Sequence, residues 1–402
     1  MIAIGAPSPR AYPSVCQPAN SKRIIMNNGS LKNSFMRNRE AGFSLIELMI
    51  GMTLGLLILA GLITVFVQSN QTRSEIERNN RQIESGRYAM SLLTEDLRMA
   101  GYFGTFDPYQ AIIKPNGPPL GGATPITSMP DPCNATLTGS ASSWDKSYFF
   151  HIQGFDNAAT VPGCLTDVKA GTDIVVIRRA STCVAGPTAG ASCDAPISGV
   201  PYFQASNCYQ PGELATNTGA TSASDYLSYF VLNTNTSSSV MNKHAINCTT
   251  IADYSRYLVR IYFVANNNAA GDNVPTLKRA ELGATGFTIV PLVEGIENLQ
   301  IEYGVDKDGD GVIDAYTADP GIYNGCTGAS CVANWLSTYS VSVNILARNT
   351  EPSLGYSDTK TYKLGQKADG TDNTFGPSGD PYKRHVYNSA VRLDNPAGRR
   401  TP

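Results

Sequence analysis

Alternate aspartates at 306, 308 and 310, followed by Gly311 and Asp314, form the most chemically pointed cluster in the chain. That spacing sets three carboxylates on one side of a tight loop. Gly311 permits the turn, the Val312 carbonyl faces back inward, and Asp314 reaches through a water, so Asp306, Asp308, Asp310, Val312 and Asp314 are the expected ligands of a calcium ion. Four carboxylates gathered without a cation repel one another, which favours bound calcium. The competing reading is an Asp-Gly hairpin turn with solvated carboxylates.

A second feature is a carboxylate where none is expected. Glu47 is the sole ionisable side chain in residues 43–67. As a helix those ~25 residues span ~37 Å, against a hydrocarbon core of ~30 Å. A charge at the centre of such a helix costs on the order of 2.5–3.5 kcal/mol, so Glu47 needs a partner. Gly51 and Gly55 are spaced to let helix backbones approach closely in lipid, although glycine is also simply common in membrane helices.

Cysteine is the third. Cys16 lies before the apolar run, and eight more follow it: Cys133, Cys164, Cys183, Cys193, Cys208, Cys248, Cys326 and Cys331. The even number fits a disulfide framework made in an oxidising compartment. Cys183 with Cys193 and Cys326 with Cys331 are the expected local pairs, since each flanks a short Gly- or Pro-containing loop. No C-x-x-C is present, which argues against zinc or thioredoxin chemistry. Enzyme signatures are missing too: three histidines (His151, His244, His385), no H-E-x-x-H, no G-x-S-x-G and no phosphate-cradling Gly-Lys loop. The chain reads as no enzyme.

These groups must be positioned by a helix and a β domain. Residues 68–100 are polar, with Ile76, Ile83, Met90 and Leu97 spaced by seven and Leu93 between the last two, a narrow apolar stripe at helical period. The helix is expected to continue from the apolar run and to stop at Gly101 and Gly104. Strands are expected at 172–179, 257–264, 287–293, 299–303, 339–346 and 385–393, several of them alternating as in a sheet with one covered face. Long Gly/Asn/Ser/Thr-rich stretches at 107–147, 184–250 and 349–383 read as loops. Charged residues make up 16% of the 402, consistent with a loop-rich exported β domain, and a formal net charge of −2 offers no basic field for nucleic acid.

Gly42-Phe43-Ser44-Leu45-Ile46-Glu47, between a short basic segment and the apolar run, resembles the processing site of type IV prepilins and type II secretion pseudopilins. The resemblance implies cleavage after Gly42 by a prepilin peptidase and methylation of the new N-terminus at Phe43. It also implies that Glu47 docks the subunit by facing the N-terminal amine of a neighbour, two costly charges offsetting one another. Residues 1–42 are then a leader, with Met36 as a possible true start, and Arg37 and Arg39 place that side in the cytoplasm. Residues 88–104, 295–304 and 382–393 resemble the PilW group of minor pilins, related to the J-type pseudopilins; residues 105–250 carry no such likeness.

The resemblance implies an α+β, pilin-like lollipop. Residues 43–67 would be a transmembrane half-helix, 68–100 an amphipathic periplasmic half, and 101–402 an antiparallel β head with disulfide-bonded loops. It also implies a low-abundance subunit that helps start or cap the fibre and supports motility and adhesion. Such a subunit sits in the inner membrane before assembly and on the surface afterwards. Its partners are other minor and major pilins and the inner-membrane assembly platform. A secretion pseudopilin and a tip adhesin are the alternatives. The acidic loop, in turn, matches the first nine positions of an EF-hand-type loop. It departs at the twelfth, where Thr317 stands for the bidentate glutamate and Asp319 lies two residues further on.

Overall fold

A computed structural model describes residues 42–106, 128–135, 150–185, 193, 195–208 and 230–398. The leader, Cys16 and much of the stretches at 107–147 and 184–250 lie outside the described residues. The chain divides into two compact units, Met1–Phe66 and Val67–Pro402.

In the first unit the chain enters helix α1, Leu45–Arg98. Ser44 caps it: its hydroxyl accepts the Ile46 N–H at 3.4 Å, while its own N–H donates to the Glu47 carboxylate at 3.3 Å. This reciprocal pairing is a capping box, which satisfies backbone donors that a helix start leaves open. The residues that follow in this unit are uncharged, mostly apolar and exposed throughout, and among the described residues α1 is the one helix long and apolar enough to cross a membrane.

In the second unit the remainder of α1 lies on a β domain. Its buried positions are Gln82, Gly86, Ala89, Leu93, Asp96 and Leu97, a face with helical spacing. The expected stripe is therefore half right. Leu93 and Leu97 are fully buried and Met90 packs against the core, but Ile83 is 39% exposed and Ile76 more so. The seat under the helix is made instead by small and polar side chains. A Cβ on Gly86 would fall 2.1 Å from the Tyr387 ring, so only glycine allows this approach. Gln82 donates to the carbonyls of Ala347 and Lys383 at 2.8 and 2.9 Å. Asp96 accepts from Arg179 (2.8 Å), Arg260 (2.9 Å) and the Tyr262 hydroxyl (2.9 Å), pinning the helix end to the sheet. After Arg98, Gly101 and Gly104 take positive φ and turn the chain away, as expected.

The larger sheet contains β1 (Ile152–Phe155), β2 (Ile174–Val184), β3 (Tyr202–Ala205), β4 (Phe230–Asn233), β5 (Tyr254–Ala265), β6 (Thr276–Gly283) and β7 (Gly286–Glu294). All its pairings are antiparallel. One edge of β5 pairs with β2; the other pairs with β3 at residues 254–256 and with β6 at 260–265. The smaller sheet runs β13 (Arg384–Arg392), β10 (Thr338–Arg348), β8 (Ile296–Val305) and β9 (Ala315–Thr317). A helix α2 (Ala329–Leu336) precedes β10, a hairpin of β11 (Tyr362–Gln366) and β12 (Asp372–Phe375) follows it, and α3 (Asp394–Gly398) ends the described chain.

Two cores explain the sequence pattern. Val175, Ile177, Tyr262 and Val264 join α1, β8 and β10 in one; Ile174, Val176, Val259, Ile261 and Phe263 face the other, with Phe103, Phe203 and Phe230. The central strands are thus covered on both faces rather than one, which is why Ile174–Ile177 is apolar without interruption.

The stretch at 349–383 is not a plain loop. Its β11–β12 hairpin lies across β8 and β10, with Gln366 N–H on Glu302 at 3.1 Å and Asn373 on Gln300 at 2.7 Å. Where it crosses, Gly365 has no room for a Cβ, which would sit 2.7 Å from the Glu302 carboxylate. Arg384, buried, fastens the same stretch through Glu297, Asp358 and Asp380.

All eight expected cysteines pair: Cys133–Cys164, Cys183–Cys193, Cys208–Cys248 and Cys326–Cys331. Both local pairs are those the spacing indicated. The other two bridge 31 and 40 positions, and Cys133–Cys164 packs against the second core.

Candidate functional site

Just ahead of α1, Gly42 and Phe43 are exposed, Phe43 at 87%. They precede the capped turn and lie outside the helix. Glu47 stands at the third helical position, where its negative charge also favours the positive end of the helix dipole. The Ser44 N–H thus occupies its carboxylate within the chain's own first turn. Ser44 is the helix cap that the sequence reading passed over, although S-x-x-E before an apolar run is a visible signature.

The acidic motif forms the connection from β8 to β9, closed at its base by Asp314 N–H on the Val305 carbonyl and by Asp306 N–H on the Ser337 carbonyl, both at 3.0 Å. Strands and not helices flank it. The carboxylates of Asp306, Asp308 and Asp314 each bring an oxygen within 4.8 Å of the others. Asp306 is fully buried. Its two oxygens accept the N–H groups of Gly309 (2.6 Å) and Gly311 (3.0 Å), while Asp314 accepts that of Lys307 at 2.6 Å. Burial and then the Asp306 charge raise the neighbouring Tyr339 phenol above its ordinary range. Asp310 stands apart from this group and holds the Val312 N–H at 2.8 Å. Thr317, at the twelfth position, is buried beside the Asp319 carbonyl at 3.3 Å. The donor set is all oxygen and fixed by backbone hydrogen bonds, which fits a hard divalent cation such as calcium.

Residues 37–63 match the family model of the prokaryotic N-terminal methylation motif. With the long apolar helix and the antiparallel β head, this match supports a type IV pilin-like protein. Residues 261–395 match that of PilW, the type IV pilus-assembly protein W, and the two matches together support a PilW-like minor pilin. The PilW match begins in β5 and ends in α3, so it takes in the smaller sheet, the acidic loop and the Arg384 network. No curated protein and no solved structure matches the chain. Both families point to a structural pilus component and not to an enzyme.

Proposed function

We propose that this chain is a minor pilin that helps to start or cap a type IV pilus. It is processed after Gly42 and methylated at Phe43. It waits in the inner membrane on its apolar helix with the β head in the periplasm, and it enters the fibre through Glu47. The observation that carries the reading is the placement of Glu47. It is a single carboxylate in an otherwise uncharged span, held one turn from the terminus that cleavage would create. An ammonium on a neighbouring subunit's first residue is the partner such a carboxylate needs in lipid. The assembly platform and the other pilins are the partners implied, and motility and adhesion the processes served.

The acidic loop holds calcium through Asp306, Asp308 and Asp314, bracing the end of β8 against the start of β10. The buried Asp306 supports this role, since it joins the loop to residue 337 through its own backbone.

Cells carrying Glu47→Ala test the main claim. We expect surface fibres to fall several-fold while the protein accumulates at its normal level; a wild-type fibre count would refute the docking role.

A further inference from the structure

Within the second unit, a pocket of about 460 Å³ opens between α1, the segment at 356–360 and the start of β13. Its charge is one-sided. Arg87, Lys360, Lys383 and Arg384 line it and no carboxylate does, although Arg384 is held from behind by Glu297, Asp358 and Asp380. Lys383 is already engaged by Glu75 at 2.8 Å. Arg87 and Lys360 are exposed and have no ion-pair partner among the described residues. Tyr387, also in the wall, keeps a hydroxyl that is shielded from solvent with no hydrogen-bond partner. A hydroxyl left unpaired is costly, so an acceptor that reaches it is favoured.

Beside the cations, the lining is two amides, Asn79 and Gln82, the aliphatic Ile83 and the rings of Tyr356, His385 and Tyr387. Ile83 is 39% exposed, and the His385 and Tyr387 rings meet edge to face at 4.8 Å. Free phosphate would use only the cations. A side chain with an aliphatic stem and a carboxylate tip uses both.

We propose that this pocket receives an acidic side chain of another pilin subunit, with Arg87 and Lys360 closing on its carboxylate. The inference rests on the pilin reading, because it takes α1 as the helix along which subunits pack.

The test uses the full chain in detergent, titrated with a short peptide of alternating leucine and glutamate, with its leucine–glutamine counterpart, and with inorganic phosphate. The glutamate peptide should bind, the glutamine peptide should not, and Arg87→Glu with Lys360→Glu should weaken binding by about tenfold or more, the loss expected for charge-assisted bonds. Both residues are exposed, so the variant should keep its thermal midpoint. Equal binding of the two peptides, or full competition by phosphate, would overturn the proposal. In cells the same double variant should lower the fibre count. Normal fibres from it, alongside fibre loss in Glu47→Ala, would sink the pocket and leave the pilin reading standing. Normal fibres from Glu47→Ala would strike the reading itself.

Discussion

Glu47 and the aspartates of the acidic loop are carboxylates with opposite needs. Glu47 stands alone in an apolar helix and takes one backbone N–H from Ser44. Asp306, Asp308 and Asp314 stand together, and in the proposed site a calcium ion offsets their repulsion. Calorimetry on the protein should therefore show calcium heat that is lost in Asp308→Ala; no heat, or heat unchanged by the substitution, would refute the site. At this scale much was legible in the sequence, because the alternate aspartates and the solitary glutamate are matters of spacing. Asp310 was not separable from its neighbours, since its bond to the Val312 N–H depends on the path of the loop. Ser44 was legible and was overlooked.

At the scale of elements, the strands with strong alternation or long apolar runs were read close to their bounds. Strands such as β3 and β4, of four residues each, were not. They sit in Ser- and Asn-rich sequence and exist because β5 offers them an edge, which is information outside the segment itself. Helix α2 was missed although Val332 and Trp335 are spaced for one face. The buried side of α1 was hidden for a different reason: its central contacts are made by Gln82, Gly86 and Asp96, which no apolar pattern displays.

Gly86 gives that point a test. By helix propensity alone, Gly86→Ala should stabilise by up to ~1 kcal/mol. Here the new Cβ meets the Tyr387 ring, so we expect a loss of about 1–3 kcal/mol in denaturant unfolding, partly relieved by adding Tyr387→Ala. A stabilised Gly86→Ala would show that the helix is not seated as described. The opposite end of the same face relies on Asp96, and removing a buried carboxylate shared by two arginines costs on the order of 3–5 kcal/mol.

Across the whole molecule, two devices hold a β domain with long connections: four disulfides and the network around Arg384. By loop-closure entropy the Cys208–Cys248 bridge, spanning 40 positions, contributes about 4 kcal/mol, and Cys326–Cys331, spanning 5, about 2. The network makes stability depend on acid. Hydrogen bonds from Arg384, outweighing burial, hold the Asp380 carboxyl below the usual carboxylate range. A carboxylate whose pKa is lower folded than unfolded stabilises the fold above its unfolded value, near 3.9, and loses that contribution as pH falls through the folded value. Thermal midpoints should accordingly drop below about pH 4, and Asp380→Asn should lower the midpoint at neutral pH while flattening that acid limb. An unchanged slope in the variant would remove Asp380 from the account.

The central claim is that this chain is processed into a fibre subunit, and it comes down to one atom: the nitrogen of Phe43. Mass spectrometry of the chain recovered from sheared surface fibres should find a protein whose first residue is N-methylated Phe43. A chain that still carries residues before Phe43, or that is absent from the fibres, would contradict it.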